Sequence, residues 1–156
     1  SKQKRYEKLG LAKDLADLAA RSERAKLFDT CVKAYPALKA AYIAEIVMTA
    51  DKTIKRQFSV DISPTEDDYT LIFGALSDGT LSKESVLDLL KENKPVKDVI
   101  RRYKAMGEKE LEAALKKIID ENKEMPFNAL IGKAMGQLRG KASGQKIAVL
   151  LKKIAI

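Results

Sequence analysis

Apolar residues return every three or four positions along almost the whole of this chain, and between the runs stand residues that start or stop helices. Leu9, Leu11, Leu15 and Leu18, with Ala12, Ala16 and Ala19, fall on one face of a helix and on no face of a strand. Ser22 then caps a second short segment carrying Ala25, Leu27 and Phe28, and residues 38–50 form a third, strongly apolar segment suited to the centre of a bundle. Residues 53–62 mix β-branched side chains with charges and read as a loop or an extended piece. Ser63-Pro64-Thr65-Glu66 reads as a helix start. Ser supplies the cap, Pro sits where its missing N–H costs nothing, and Glu stands three residues on to close the box.

Tyr69, Ile72, Phe73 and Leu76 supply the buried stripe of that helix, and Asp78-Gly79-Thr80 ends it. Ser82 caps the next, with Val86, Leu89 and Leu90 inward, and Lys94-Pro95 breaks it. A turn or two of helix follows around Val96 to Tyr103, and Gly107 marks a module boundary. Beyond it the spacing predicts three helices. The first, over 108–122, turns Leu111, Leu115 and Ile118 inward and sets Glu108 and Glu110 at the positive end of its dipole. Pro126 opens the second, with Phe127, Ile131, Ala134, Met135 and Leu138 on one face and Lys133 and Gln137 opposite. Gly140 stops it, and Ser143 caps the third, whose stripe is Ile147, Leu150, Leu151 and Ile154. The fold class expected is all-α, with an N-terminal helical bundle over 1–106 and a small three-helix tail domain over 107–156.

Composition narrows the chemistry. There is no histidine, so base catalysis would fall to a carboxylate or lysine, and zinc has no Cys and His cluster to bind. The lone Cys31 lies in a helix-prone segment with no basic partner in view, as a buried structural thiol does, and a single cysteine fits a reducing, cytoplasmic setting. Glu66, Asp67 and Asp68 are the densest carboxylates, but neighbouring helical residues diverge, and their place in a first turn explains them without a metal. No glycine-rich phosphate loop of the Walker or dinucleotide type is present. The apolar run 40–47 is broken by Glu45 and is far too short to cross a membrane. Neither a catalytic residue nor a metal ligand is assigned.

The charges are unevenly placed. Residues 1–99 hold seventeen Lys and Arg against sixteen acids, whereas residues 125–156 hold six cations and no acid at all, so nearly all of the net +8 belongs to the C-terminal third. Clustered cations create a local potential that a mixed surface cancels. The six are Lys133, Arg139, Lys141, Lys146, Lys152 and Lys153, with Arg101, Arg102 and Lys104 as weaker neighbours. Among them stand Gly132, Gly136, Gly140 and Gly144, which remove side-chain bulk, and Gln137, Ser143 and Gln145, which offer donors. The Gly132/Gly136/Gly140 spacing suits close helix packing or backbone access for a ligand. The corner reads equally as a phosphate-binding site at a helix N-terminus or as a solvated lysine-rich face around a tight turn.

The order of residues in this stretch, LIGKAMGQLRGKASGQKIAVLLKK, resembles the C-terminal signature of the tail domain shared by the B and E subunits of tRNA-dependent amidotransferases and by YqeY-like proteins. EKLGLAKDLADLAARSERAKLFD and LIFGALSDGTLSKESVLDLL resemble the opening segment and the helix, Asp-Gly-Thr turn and helix of the same family, so the likeness spans the chain. Leu138-Arg139-Gly140-Lys141 and Gly144 look nearer to the archaeal E subunit than to the bacterial B subunit. The resemblance implies a non-catalytic region of a glutamyl-tRNA(Gln) amidotransferase that grips the elbow and D-loop of tRNA(Gln). ATP and magnesium would then belong to another part of the parent subunit, and the remainder of that subunit and an amidase subunit would be partners. It carries RNA contact onto Lys133, Arg139, Lys141 and Lys146, and less strongly onto Lys152 and Lys153. A structural or protein-docking module, the matching region of a B subunit and a freestanding YqeY-like protein are the alternatives.

Overall fold

The computed structural model describes residues 1–155; Ile156, the last residue of the expected tail domain, lies outside them. The described residues are helical and contain no strand. They divide into two compact units, Ser1–Arg102 and a second that begins at Tyr103. This division falls four residues before the one read from Gly107. The Met106 N–H donates to the Lys141 carbonyl at 2.8 Å, and the Met106 side chain packs on the C-terminal core, so the short segment ahead of Gly107 is held by the second unit.

In the first unit α1 (Lys2–Lys8) is capped by Ser1 and leads through Gly10, at φ +103°, into α2 (Lys13–Arg21) and α3 (Ala25–Ala34). Then α4 (Ala40–Ala44) passes through a π-helical turn, Glu45–Thr49, into α5 (Ala50–Phe58). Residues 53–58, read as loop or extended, are thus the end of a helix, which stops at Ser59 in the left-handed region. The amphipathic pattern runs on across the π turn with Ala50 and Ile54 buried, and that packing outweighs the modest helix propensity of Thr53 and Ile54. The π turn places the Val47 carbonyl where the Arg24 guanidinium donates to it at 2.8 Å, with the Asp51 carboxylate 3.9 Å from the same nitrogen.

Helix α6 (Glu66–Ser77) begins two residues later than Ser63 suggests. Its cap is Thr65, whose Oγ accepts the Asp68 N–H while the Asp68 carboxylate accepts the Thr65 N–H. The other Asp68 oxygen accepts the Val96 N–H at 2.9 Å, so one carboxylate caps α6 and ties down the chain at Val96. That tertiary bond selects Thr65 over Ser63. A 3₁₀ turn, Lys83–Ser85, leads into α7 (Val86–Lys91), then α8 (Val96–Val99) and a last 3₁₀ turn, Ile100–Arg102. Tyr6, Phe28, Ile43, Ile54, Ile72, Phe73 and Leu89 are sealed from solvent and form the core of this unit.

Two tyrosines in this unit contrast. Tyr6 is buried against Phe28, edge to face with centroids 4.9 Å apart, and its hydroxyl donates to Asp29 at 2.8 Å. Tyr42 has a buried hydroxyl with no hydrogen-bond partner among the described residues. Both phenols are pushed up to about 12, Tyr6 by burial and then by Asp29, Tyr42 by burial and then by Glu45. A raised phenol pKa stabilises the fold below its unfolded value of 10.0, and that stabilisation is lost as pH climbs toward 12. Tyr6→Phe should therefore cost about 1 kcal/mol at neutral pH, because Asp29 loses the closer of its two donors, the other being Arg5, whereas Tyr42→Phe should be neutral or slightly stabilising. Urea unfolding of the two variants checks this, and both should lose less stability than the wild type between pH 10 and 12.

A candidate nucleic-acid interface

The second unit comprises α9 (Glu108–Glu121), α10 (Phe127–Gln137) and α11 (Gly144–Ala155). Leu111, Leu115, Ile118, Leu130, Ala134, Leu138, Ile147 and Leu151 meet in one core. The inward edge of α10 is Leu130, Ala134 and Leu138; Ile131 and Met135 lie at its margin, and Phe127, expected inside, is 37% exposed. Two apolar stripes at four-residue spacing compete on this helix, Phe127/Ile131/Met135 and Leu130/Ala134/Leu138, and the second is the one that α9 and α11 cover.

The corner between α10 and α11 follows from three residues. Gly140 takes φ +79°, the Lys141 N–H returns to the Leu138 carbonyl at 2.8 Å, and the Ser143 hydroxyl accepts the Lys146 N–H at 3.1 Å as a helix cap. Gly132 and Gly136 are exposed, and a Cβ on either would meet nothing within 4 Å. Among the described residues, therefore, their spacing packs no helix; it leaves a bare strip of backbone beside Lys133 and Gln137. Gly144 makes an ordinary contact, with Met135 Cε 3.6 Å from its would-be Cβ.

The six cations do not converge on one point. Lys133 Nζ donates to the Asn122 side chain at 2.9 Å, on the side where α9 meets α10. Arg139 is exposed at the corner, and Lys141 beside it is half-buried with both backbone groups bonded. Lys146 and Lys153, two turns apart on α11, line one depression of about 320 Å³ together with Glu108, Ser143, Gln145, Val149 and Leu150. Lys152 is exposed on the same helix. None of Lys133, Arg139, Lys146, Lys152 or Lys153 has a carboxylate within ion-pair distance among the described residues, so their charges act outward. The sequence placed Glu108 only at a helix dipole and Leu150 only in a buried stripe, and it gave Val149 no role. Val149, 63% exposed, was detectable as an apolar residue on the polar flank of the helical pattern.

Charge in this unit is segregated by helix. Residues 108–124, which contain α9, hold four lysines against six carboxylates, whereas α10 and α11 carry only cations. Such a surface attracts polyanions over one face and orients them, because the acidic helix repels the same partner.

Elsewhere the candidates for chemistry are occupied or masked by burial. Cys31 is buried, and its thiol is raised above its ordinary value by that burial and then by the Glu66 carboxylate, which keeps it protonated. The Asp68 carboxylate is committed to two backbone N–H groups. No group of three or more acidic or thiol ligands is placed to hold a metal ion, and no helix is long and apolar enough to cross a membrane, among the described residues.

Comparison with known proteins adds three findings. The family described as the GatB domain matches residues 26–154. The glutamyl-tRNA(Gln) amidotransferase E subunit of Saccharolobus solfataricus is 31% identical over 97% of this chain, and the E subunits of Sulfolobus acidocaldarius and Methanococcus maripaludis are 32% and 34% identical over 92% and 96% of it. The chain spans about a quarter of the length of these relatives, 26%, 25% and 26% respectively. No solved structure matches it.

Proposed function

The chain belongs to the GatB/YqeY family, and from its similarity to archaeal glutamyl-tRNA(Gln) amidotransferase E subunits we propose that it is a non-catalytic, tRNA-binding region of such a subunit. The observation that carries this reading is the segregation of charge in the second unit, where the faces of α10 and α11 are purely cationic beside an acidic α9. In this reading Lys133, Arg139, Lys141 and Lys146 meet phosphates near the elbow of tRNA(Gln), with Lys152 and Lys153 as outer contacts. The bare helix at Gly132 and Gly136 gives the RNA backbone room to approach. A-form RNA hides its base edges in a deep major groove, so a helical unit of this kind recognises phosphates, ribose hydroxyls and loops.

The densest carboxylates, Glu66 to Asp68, diverge along the first turn of α6, and Asp68 is committed to two backbone N–H groups, which does not fit ATP and magnesium. That chemistry is assigned to other parts of the parent subunit, and release of ammonia to an amidase partner. The expected result of titrating the chain with a tRNA(Gln) transcript is a salt slope of about −3 for four phosphate contacts, with Lys133→Ala or Lys146→Ala each reducing its magnitude by roughly one. Fluorescence anisotropy at several salt concentrations measures it. Affinity and slope unchanged in both variants would overturn the proposed surface.

A further inference from the structure

The depression lined by Glu108, Ser143, Gln145, Lys146, Val149, Leu150 and Lys153 is not built for a phosphate. A carboxylate stands in it, on the only helix of this unit that carries acids, and Glu108 would repel an anion seated between the two lysines. Its floor is apolar. Val149 is exposed among lysines, and Leu150 beside it packs down into the core and is held in place. Gln145 both donates and accepts, the Ser143 hydroxyl accepts the Lys146 N–H, and Glu108 accepts only. A space of about 320 Å³ with an apolar floor and a few polar groups at the edge is at the small end of ligand sites.

Resting on the tRNA-binding reading above, we propose that this depression seats one unstacked nucleobase from an RNA loop. The base lies on the Val149 methyls and the exposed part of Leu150. The Glu108 carboxylate accepts an N–H from its edge, as a carboxylate accepts from an exocyclic amine or a ring imino group. Lys146 and Lys153 flank the seat two turns apart and take the phosphates on either side of the extruded nucleotide. A plain duplex has no base to offer, so the depression supplies preference for looped RNA where the rest of the cationic surface supplies only affinity.

The sign of one substitution separates a base from a phosphate. Glu108→Ala removes a negative charge, so if the depression holds a phosphate, affinity rises for every RNA alike. If it holds a base, affinity for the looped RNA falls by roughly tenfold, the loss of one charge-assisted hydrogen bond, while affinity for the duplex rises or stays. Val149→Ser removes the floor without changing charge and should lower looped-RNA affinity several-fold, leave duplex affinity alone and keep the salt slope. Both residues are exposed, so both variants keep the fold, which circular dichroism verifies. The experiment is anisotropy of the full chain and the two variants with a tRNA(Gln) transcript and with a blunt RNA duplex of equal length. A loop-to-duplex ratio that falls in both variants is the expected result. A wild-type chain that binds with a salt slope while the variants keep its ratio overturns the base seat and leaves the tRNA reading standing; a wild-type chain with no salt-dependent binding to either RNA overturns both.

Discussion

Leu115→Ala is expected to unfold the second unit and leave the first intact. Leu115 is fully buried at the middle of α9, in a core whose buried members come from α9, α10, α11 and the C-cap of α10, with Met106 packed at its edge. Truncating a buried leucine costs about 2–5 kcal/mol, and a unit of this size rarely has more than about 3–5 kcal/mol to lose. Hydrogen exchange should therefore show the amides of α9 to α11 opening at rates near those of the unfolded chain, while those of α6, around the sealed Ile72 and Phe73, keep their protection. Val149→Ala, at a position that contributes little to the core, serves as the control. Equal loss of protection in α6 would mean that the two units fold as one.

The helices themselves were legible because caps and apolar spacing agree. Gly140 and Ser143 sit where a stop followed by a start is needed, and the chain turns there. What escaped the sequence depends on which of two local solutions tertiary contacts select. Ser63 and Thr65 are both competent caps, and Asp68 decides between them through its second bond to Val96, a residue 28 positions away. Phe127 and Leu130 both belong to apolar stripes of α10, and the neighbouring helices choose the stripe. The π turn at Glu45–Thr49 has no composition of its own; it is held by Arg24, brought in from the turn between α2 and α3. The candidate site shows the same limit. The absence of acids after residue 124 is visible in one line of sequence, but Glu108, whose first-turn position explains it locally, joins Lys146 and Lys153 only when α9 and α11 pack. The glycine spacing also had two readings, and the open space around Gly132 and Gly136 decides against helix packing among the described residues.

Neutralising Lys133, Arg139, Lys146 and Lys153 together to Gln should lower affinity for a tRNA(Gln) transcript by about a thousandfold near 0.1 M salt, since every phosphate that goes without its cation takes close to one unit off the slope. Fold stability should hardly change, because none of the four has a carboxylate within ion-pair distance among the described residues and their removal relieves mutual repulsion. The comparison that gives this meaning is a second quadruple variant in the first unit, Arg5, Arg21, Lys55 and Lys91 to Gln, which changes net charge equally. Those four are paired with Asp29, Asp17, Asp61 and Asp88, so their field is cancelled locally, and affinity should fall by no more than about threefold. If both sets weaken binding alike, the RNA responds to net charge alone and the segregated face of α10 and α11 has no special part. If only the first set does, the clustering of cations on α10, α11 and the corner between them is what binds, and the salt slope of that variant should fall to about −1, the share left to Lys141.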